Sequence, residues 1–120
     1  MRLSRDRDSK LVLRLLFWAA VLVSLVLALI PHPPQLPGHP SDKVQHFLAF
    51  VTMGIFGSLA YPRLGTLRLI VALSLFGALI EVAQAIPVIH RDSDPLDWLT
   101  DTIACILAVS AVRWWARRAP

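Results

Sequence analysis

The sequence predicts an all-α, polytopic membrane protein with four transmembrane helices, and three observations support this prediction. Hydrophobic residues make up 56% of the 120 residues and charged residues only 17%, against about a quarter in ordinary soluble domains. The apolar residues form four long runs of about the length that crosses a bilayer. Basic residues are concentrated on alternate connections between these runs, which predicts that both termini lie in the cytoplasm.

The four predicted spans form a single domain over residues 1–120 and cover about residues 11–30, 44–61, 67–89 and 96–115. At about 1.5 Å of rise per residue, each span covers roughly the 30 Å hydrocarbon core, the second only just. The first and third spans are apolar on every face, whereas a helix of a soluble bundle keeps a polar face. The first run ends in LALIPHPP, which offers no small-x-small cleavage site, so we expect it to be retained as a helix.

Helix-capping residues stand before the second and fourth spans. Ser41 or Asp42 can cap the second helix, and Asp94 can cap the fourth, where Pro95 suits the first turn. Cys105 is the only cysteine, which excludes a disulfide or a thiolate metal site and leaves this residue a packing role.

The basic residues lie mainly on one side of the four-span layout. Lys43 and Arg91 are the two exceptions among the twelve lysine and arginine residues. The other ten are Arg2, Arg5, Arg7, Lys10, Arg14, Arg63, Arg68, Arg113, Arg117 and Arg118. This excess is a topology signal with some attraction to anionic lipid, so we expect membrane lipids and no nucleic acid as partners.

The acidic residues concentrate on the opposite, outer side. Spacing puts Asp42 and His46, Glu81 and Gln84, and Asp97 and Asp101 on one helix face each, because residues three or four apart are neighbours on a helix. Small residues continue the same faces inward, where they let membrane helices approach closely. We therefore expect three polar pairs to face one another near the outer leaflet, above a tightly packed seam.

Glu81 needs a physical explanation, since the apolar run places it about eight residues, or roughly 12 Å, from the outer end of its helix. An ionised carboxylate alone at that depth costs about 3 kcal/mol or more, so it must find partners or take up a proton. His46, Lys43 and Arg91 are the available cations. For Gln84 we favour a role in joining helices, at about 0.6 kcal/mol per hydrogen bond. Neutral amides would do that job at lower cost, so for Glu81, Asp97 and Asp101 we favour function.

Three motifs occur in order on the second, third and fourth spans: DKVQHFLAF (42–50), EVAQ (81–84) and RDSDPLDWLTDTIA (91–104). Together they resemble the VanZ-like family of small bacterial membrane proteins. By this resemblance the motif positions fall on Asp42, Lys43, His46, Glu81, Gln84, Arg91 and Asp97. Two positions depart from the pattern, since Asp101 stands where the family usually has asparagine and Ala104 where it usually has glycine.

The resemblance implies a multi-pass protein of the bacterial cytoplasmic membrane with a role in the cell envelope. The family takes its name from a protein linked to resistance to the glycopeptide teicoplanin. We expect a non-enzymatic protein whose outer polar pocket binds a lipid or a lipid-linked cell-wall component and influences glycopeptide susceptibility. Lys43 and Arg91 would meet an anionic head group, while His46, Glu81 and Asp97 would shape the pocket. No cofactor or metal is assigned.

Two other functions remain open at this point. Asp42, His46, Glu81, Asp97 and Asp101 could hold a hard divalent ion that activates water against a phospholipid or a lipid-linked phosphate. No hydrolase signature accompanies them. A proton-coupled carrier with Glu81 as its titrating group is the third function. Four helices without repeat symmetry are few for such a carrier, which would need to form a homo-oligomer.

Overall fold

The chain folds into an elongated helical bundle in a computed structural model that describes residues 2–31, 35, 37–38 and 41–119. Within these residues there are four α-helices and one short 3₁₀ helix, and the all-α prediction is confirmed. The elements are α1 (Arg2–Leu29), α2 (Asp42–Ala60), α3 (Thr66–Gln84), the 3₁₀ helix (Pro87–Ile89) and α4 (Pro95–Arg118). The bundle measures 52 × 26 × 24 Å along its principal axes.

In the part of the chain that the structure describes, three helices are long and apolar enough to cross a membrane: α1, α3 and α4. The apolar part of α2 is shorter, because polar residues occupy its first two turns and leave residues 47–60, about 21 Å of helix. Large apolar side chains such as Leu22, Leu75 and Leu107 are more than half exposed on the outside of the bundle. Extensive apolar surface of this kind is compatible with a membrane protein.

Helix α3 ends earlier than the sequence predicted. The apolar run through residue 89 is not one helix, since α3 ends at Gln84 and the 3₁₀ helix follows. Pro87 explains the break: it lacks an N–H and pushes Ile86 out of the helical region, to φ −71° and ψ 121°. Glu81 therefore lies in the last turn of α3, and the prediction that eight helical residues separate it from the outer end is wrong.

Both predicted caps are present. The Ser41 side chain accepts a hydrogen bond from the Val44 N–H at 3.3 Å, so Ser41 rather than Asp42 caps α2. The Asp94 side chain accepts from the Leu96 N–H at 3.0 Å and caps α4, with Pro95 in the first turn. These caps fix where α2 and α4 begin, and both helices carry their polar residues in the turns that follow.

Small residues allow α2 to approach its neighbours closely. Helix α4 packs against α2 and α3, and α1 packs mainly against α2. A Cβ atom built at Gly54 would lie 2.9 Å from the Ala108 Cβ of α4. Met53, Ala104 and Cys105 are fully buried in the same interior, which confirms the packing role expected for Cys105. The predicted seam of small residues therefore forms between α2 and α4.

The two ends of the bundle differ in charge. At one end, Arg113 donates hydrogen bonds to the carbonyl oxygens of Tyr61, Pro62 and Leu64, at 2.8–3.1 Å. The guanidinium of Arg14 lies 4.9 Å from the centre of the Tyr61 ring at the same end. Most of the acidic residues occupy the other end. The charge asymmetry of the sequence therefore corresponds to two chemically different ends of the folded bundle.

The contact between Gly54 and Ala108 can be tested with a double-mutant cycle. Gly54→Ala should lower the free energy of unfolding by about 1–3 kcal/mol, because the added methyl group overpacks the α2–α4 contact. Ala108→Gly should destabilise the wild-type protein but relieve the Gly54→Ala variant, since it removes the opposing methyl group. Denaturant unfolding in detergent measures all four corners of the cycle. Purely additive effects would contradict the close contact.

Candidate functional site

A polar cluster lies where the start of α2, the end of α3 and the start of α4 meet. Five of the eight predicted site residues belong to it: Lys43, His46, Glu81, Asp97 and Asp101. The three carboxylic acids that α3 and α4 contribute are only 7%, 5% and 0% exposed, in chain order. Of the three predicted pairs, Asp97 and Asp101 enter the polar cluster together, whereas the other two pairs contribute only His46 and Glu81.

The outer layer of the polar cluster is an ion pair shared by three residues. Lys43 Nζ donates to Asp94 Oδ2 at 2.8 Å and to Asp97 Oδ1 at 3.1 Å. The hydrogen bond that Lys43 donates to Asp94 raises the pKa of Lys43, and the same bond lowers the pKa of Asp94. Each group therefore stays charged at neutral pH. The Lys43 ammonium therefore links α2 to the start of α4. It is not the partner of the deeper acids, Glu81 and Asp101.

The inner layer consists of His46, Glu81 and Asp101. His46 Nδ1 and Asp101 Oδ1 share a hydrogen bond of 3.1 Å. Glu81 Oε2 accepts from the Ser93 hydroxyl at 3.1 Å and from the Asp94 backbone N–H at 3.0 Å. Sequence reasoning missed Ser93, although its position just before the capping Asp94 placed it next to the cluster. The three side chains offer possible metal-ligand atoms that all lie within 4.8 Å of one another.

Two carboxylate oxygens of the inner layer have no hydrogen-bond partner among the described residues. They are Glu81 Oε1 and Asp101 Oδ2, and both are buried. Asp101 Oδ2 lies against Gly77 of α3, where a Cβ atom would come within 2.9 Å of it. The glycine provides the space for this oxygen, one helical turn before Glu81. The inner layer therefore holds unused acceptor capacity in a site shielded from solvent.

Gln84 and Arg91 lie outside the polar cluster and bind the C-terminal end of α1. Gln84 Nε2 donates to the Ala28 carbonyl at 2.9 Å, and Arg91 Nη1 donates to the Leu27 and Ile30 carbonyls at 2.9 and 3.2 Å. The last carbonyls of a helix lack partners within the helix and favour positive charge. Of the three cations that the sequence made available to Glu81, Arg91 binds α1 and Lys43 binds Asp94 and Asp97.

A cavity of about 340 Å³ opens between α1 and α2, beside the polar cluster. Its walls are mostly apolar and include Ala20, Val23 and Ala49. Most of its polar lining comes from the first turns of α2 and the loop before α4. The polar lining residues are Ser24, Asp42, Gln45, His46, Thr52 and Arg91. Asp42 is exposed in the first turn of α2. His46 belongs to both the cavity and the inner layer, so the two features form one continuous site.

The chain matches no protein-family model, no curated protein and no solved structure.

Removal of the Gln84 amide should loosen the attachment of α1. Gln84→Leu deletes the bond to the Ala28 carbonyl and should cost about 1 kcal/mol of unfolding free energy. Thr52→Val is the control, because the Thr52 hydroxyl bonds to Leu48 of its own helix and joins no helices. Unfolding in mixed detergents measures both variants. Equal stabilities of the two variants would contradict an anchoring role for Gln84.

Proposed function

We propose that the chain is a VanZ-like, four-span protein of the bacterial cytoplasmic membrane with both termini in the cytoplasm. The apolar exterior and the three long apolar helices support this proposal. Helix α2 has the shortest apolar stretch, but its polar first turns point to α4 and the cavity rather than outward. The end of the bundle that carries Arg14 and Arg113 is the cytoplasmic end by the positive-inside rule. The polar cluster then faces the outer leaflet.

The proposed function is binding of a phosphate-bearing lipid, either a phospholipid or a lipid-linked cell-wall component, in the cavity between α1 and α2. The cavity carries this proposal, because apolar walls suit an acyl or prenyl chain and Arg91 lies at the polar end. Arg91 uses Nη1 for the α1 carbonyls, which leaves its other guanidinium N–H groups for a phosphate oxygen. The VanZ-like resemblance implies a role in the cell envelope, and on this basis the proposal includes an influence on glycopeptide susceptibility.

Lys43 and Arg91 contribute differently to this proposal. Lys43 already contacts two carboxylates, so Arg91 is the cation that we assign to the phosphate. Asp42 lines the same end of the cavity and would favour a head group that also carries an amine. A zwitterionic phospholipid satisfies both side chains, whereas a purely anionic lipid satisfies only Arg91.

A metal-dependent membrane enzyme is the second candidate function. The close approach of His46, Glu81 and Asp101 favours it. The five-residue set expected from the sequence is reduced to these three, because Asp97 binds Lys43 and Asp42 lies at the exposed start of α2. This candidate places its chemistry at the inner layer, beside the cavity in which a lipid phosphate would bind.

The proposed topology predicts opposite labelling of two loops. A cysteine at Asp92 should react with an impermeant maleimide in intact spheroplasts, whereas one at Gly65 should react only after permeabilisation. The native Cys105 is fully buried and gives little background. Labelling of the Asp92→Cys protein only after permeabilisation would overturn the orientation.

The lipid proposal predicts that Arg91→Gln lowers phospholipid retention about tenfold, the effect of losing one charge-assisted hydrogen bond. Native mass spectrometry of the protein released from phosphatidylethanolamine or phosphatidylglycerol vesicles measures the bound fraction. Arg68→Gln is the control, since Arg68 is exposed near the start of α3 at the opposite end.

A second pair of variants tests the cavity itself. Ala49→Leu should reduce lipid retention because the larger side chain occupies the wall of the cavity, whereas Ala111→Leu adds the same atoms to an exposed site on α4. Retention that is equal in both variants would place the lipid elsewhere.

A further inference from the structure

We propose that His46, Glu81 and Asp101 form a binding site for a divalent transition-metal ion. The inference does not depend on the lipid proposal, since it rests on the inner layer of the polar cluster alone. Three observations carry it: the mutual approach of the three side chains, the unpartnered carboxylate oxygens, and the way in which the neighbouring cations are already engaged.

The three residues come from three helices, and their possible ligand atoms lie within 4.8 Å of one another. A four-coordinate first-row ion with ligand atoms at about 2.1 Å holds them roughly 3.4 Å apart, so side-chain shifts of about 1 Å would close the site. The partners around Glu81 support this geometry. Ser93 and the Asp94 N–H hold its Oε2, as outer partners commonly hold metal-binding carboxylates.

The unpartnered oxygens of the inner layer are buried acceptors that a cation would contact. Glu81 and Asp101 are 7% and 0% exposed, and each keeps one buried oxygen without a partner among the described residues. Buried polar atoms in proteins almost always have a partner. One ion would contact both carboxylates, which also lie on facing helices and repel each other when both are ionised.

The neighbouring cations do not supply this charge. Lys43 binds Asp94 and Asp97, and Arg91 binds the carbonyls at the end of α1. His46 is the only basic side chain in the inner layer, and one imidazolium would balance one of the two carboxylates. A divalent ion balances both and leaves the imidazole neutral as a ligand.

The ligand set indicates which ions fit. Imidazole nitrogen favours zinc and similar transition metals, while carboxylate oxygens also accept manganese, and magnesium rarely takes imidazole. His46 lines the cavity, so the side of the site toward the cavity is open to water or to a ligand oxygen. Three protein ligands with an open position are typical of catalytic rather than structural zinc sites.

The test uses the full-length protein in detergent without added lipid, stripped with a chelator and then titrated with Zn²⁺, Mn²⁺ or Co²⁺. We expect one Zn²⁺ per chain with a dissociation constant in the micromolar range or below. Visible absorption of the Co²⁺ form should show the intense bands of a four- or five-coordinate ion. Glu81→Gln and Asp101→Asn should each weaken binding at least tenfold.

Asp92→Asn is the control, because Asp92 is an exposed carboxylate of the loop before α4 and lies outside the polar cluster, and the metal affinity of this variant should stay within about twofold of the wild type. Absence of saturable binding by the wild type would overturn the proposal, as would full affinity in folded Glu81→Gln and Asp101→Asn variants. If those variants fail to fold, the Co²⁺ spectrum of the wild type decides: weak bands of a six-coordinate aquo ion would overturn the site.

Arg91→Gln should keep metal affinity while losing lipid, which separates the two proposals.

Discussion

The cost of placing carboxylates inside an apolar bundle is the constraint on which the rest of the structure depends. Glu81, Asp97 and Asp101 are each less than a tenth exposed. Each receives a hydrogen bond or an ion-pair contact from a segment of the chain other than its own helix. These contacts join the start of α2, the end of α3 and the loop before α4. Small residues bring α2 and α4 together, and the acids add polar contacts that fix the register of the helices.

Helix α1 is held in a different way, because it contributes no acidic side chain to the polar cluster. Its C-terminal carbonyls accept hydrogen bonds from Gln84 and Arg91, and near the middle of the helix Trp18 donates to the Tyr61 hydroxyl at 2.9 Å. Between these attachments small residues such as Ala20 and Ala28 face α2 and leave the cavity open. The cavity therefore lies along the part of α1 between these two attachments.

Helical spacing predicted that Asp97 and Asp101 share a face, and both belong to the polar cluster. It also grouped Gln84 with Glu81, although Gln84 binds α1. The sequence could not reveal the partners of Gln84 and Arg91, because backbone carbonyls at a helix end have no signature of their own. It also misplaced Glu81 relative to its helix end. Ile86 is apolar like a membrane-buried residue, and only the proline after it indicates that the helix has already stopped.

The two layers of the polar cluster differ in whether their polar atoms are left to bind a ligand. In the outer layer Lys43 is paired with two carboxylates, and the contacts are complete. In the inner layer two buried oxygens have no partner among the described residues, and His46 connects them to the cavity. A phosphate bound near Arg91 and an ion bound by the triad would share the polar end of one cavity. Lipid binding and metal chemistry would then be parts of one site, since an ion beside a phosphoester polarises it and activates water.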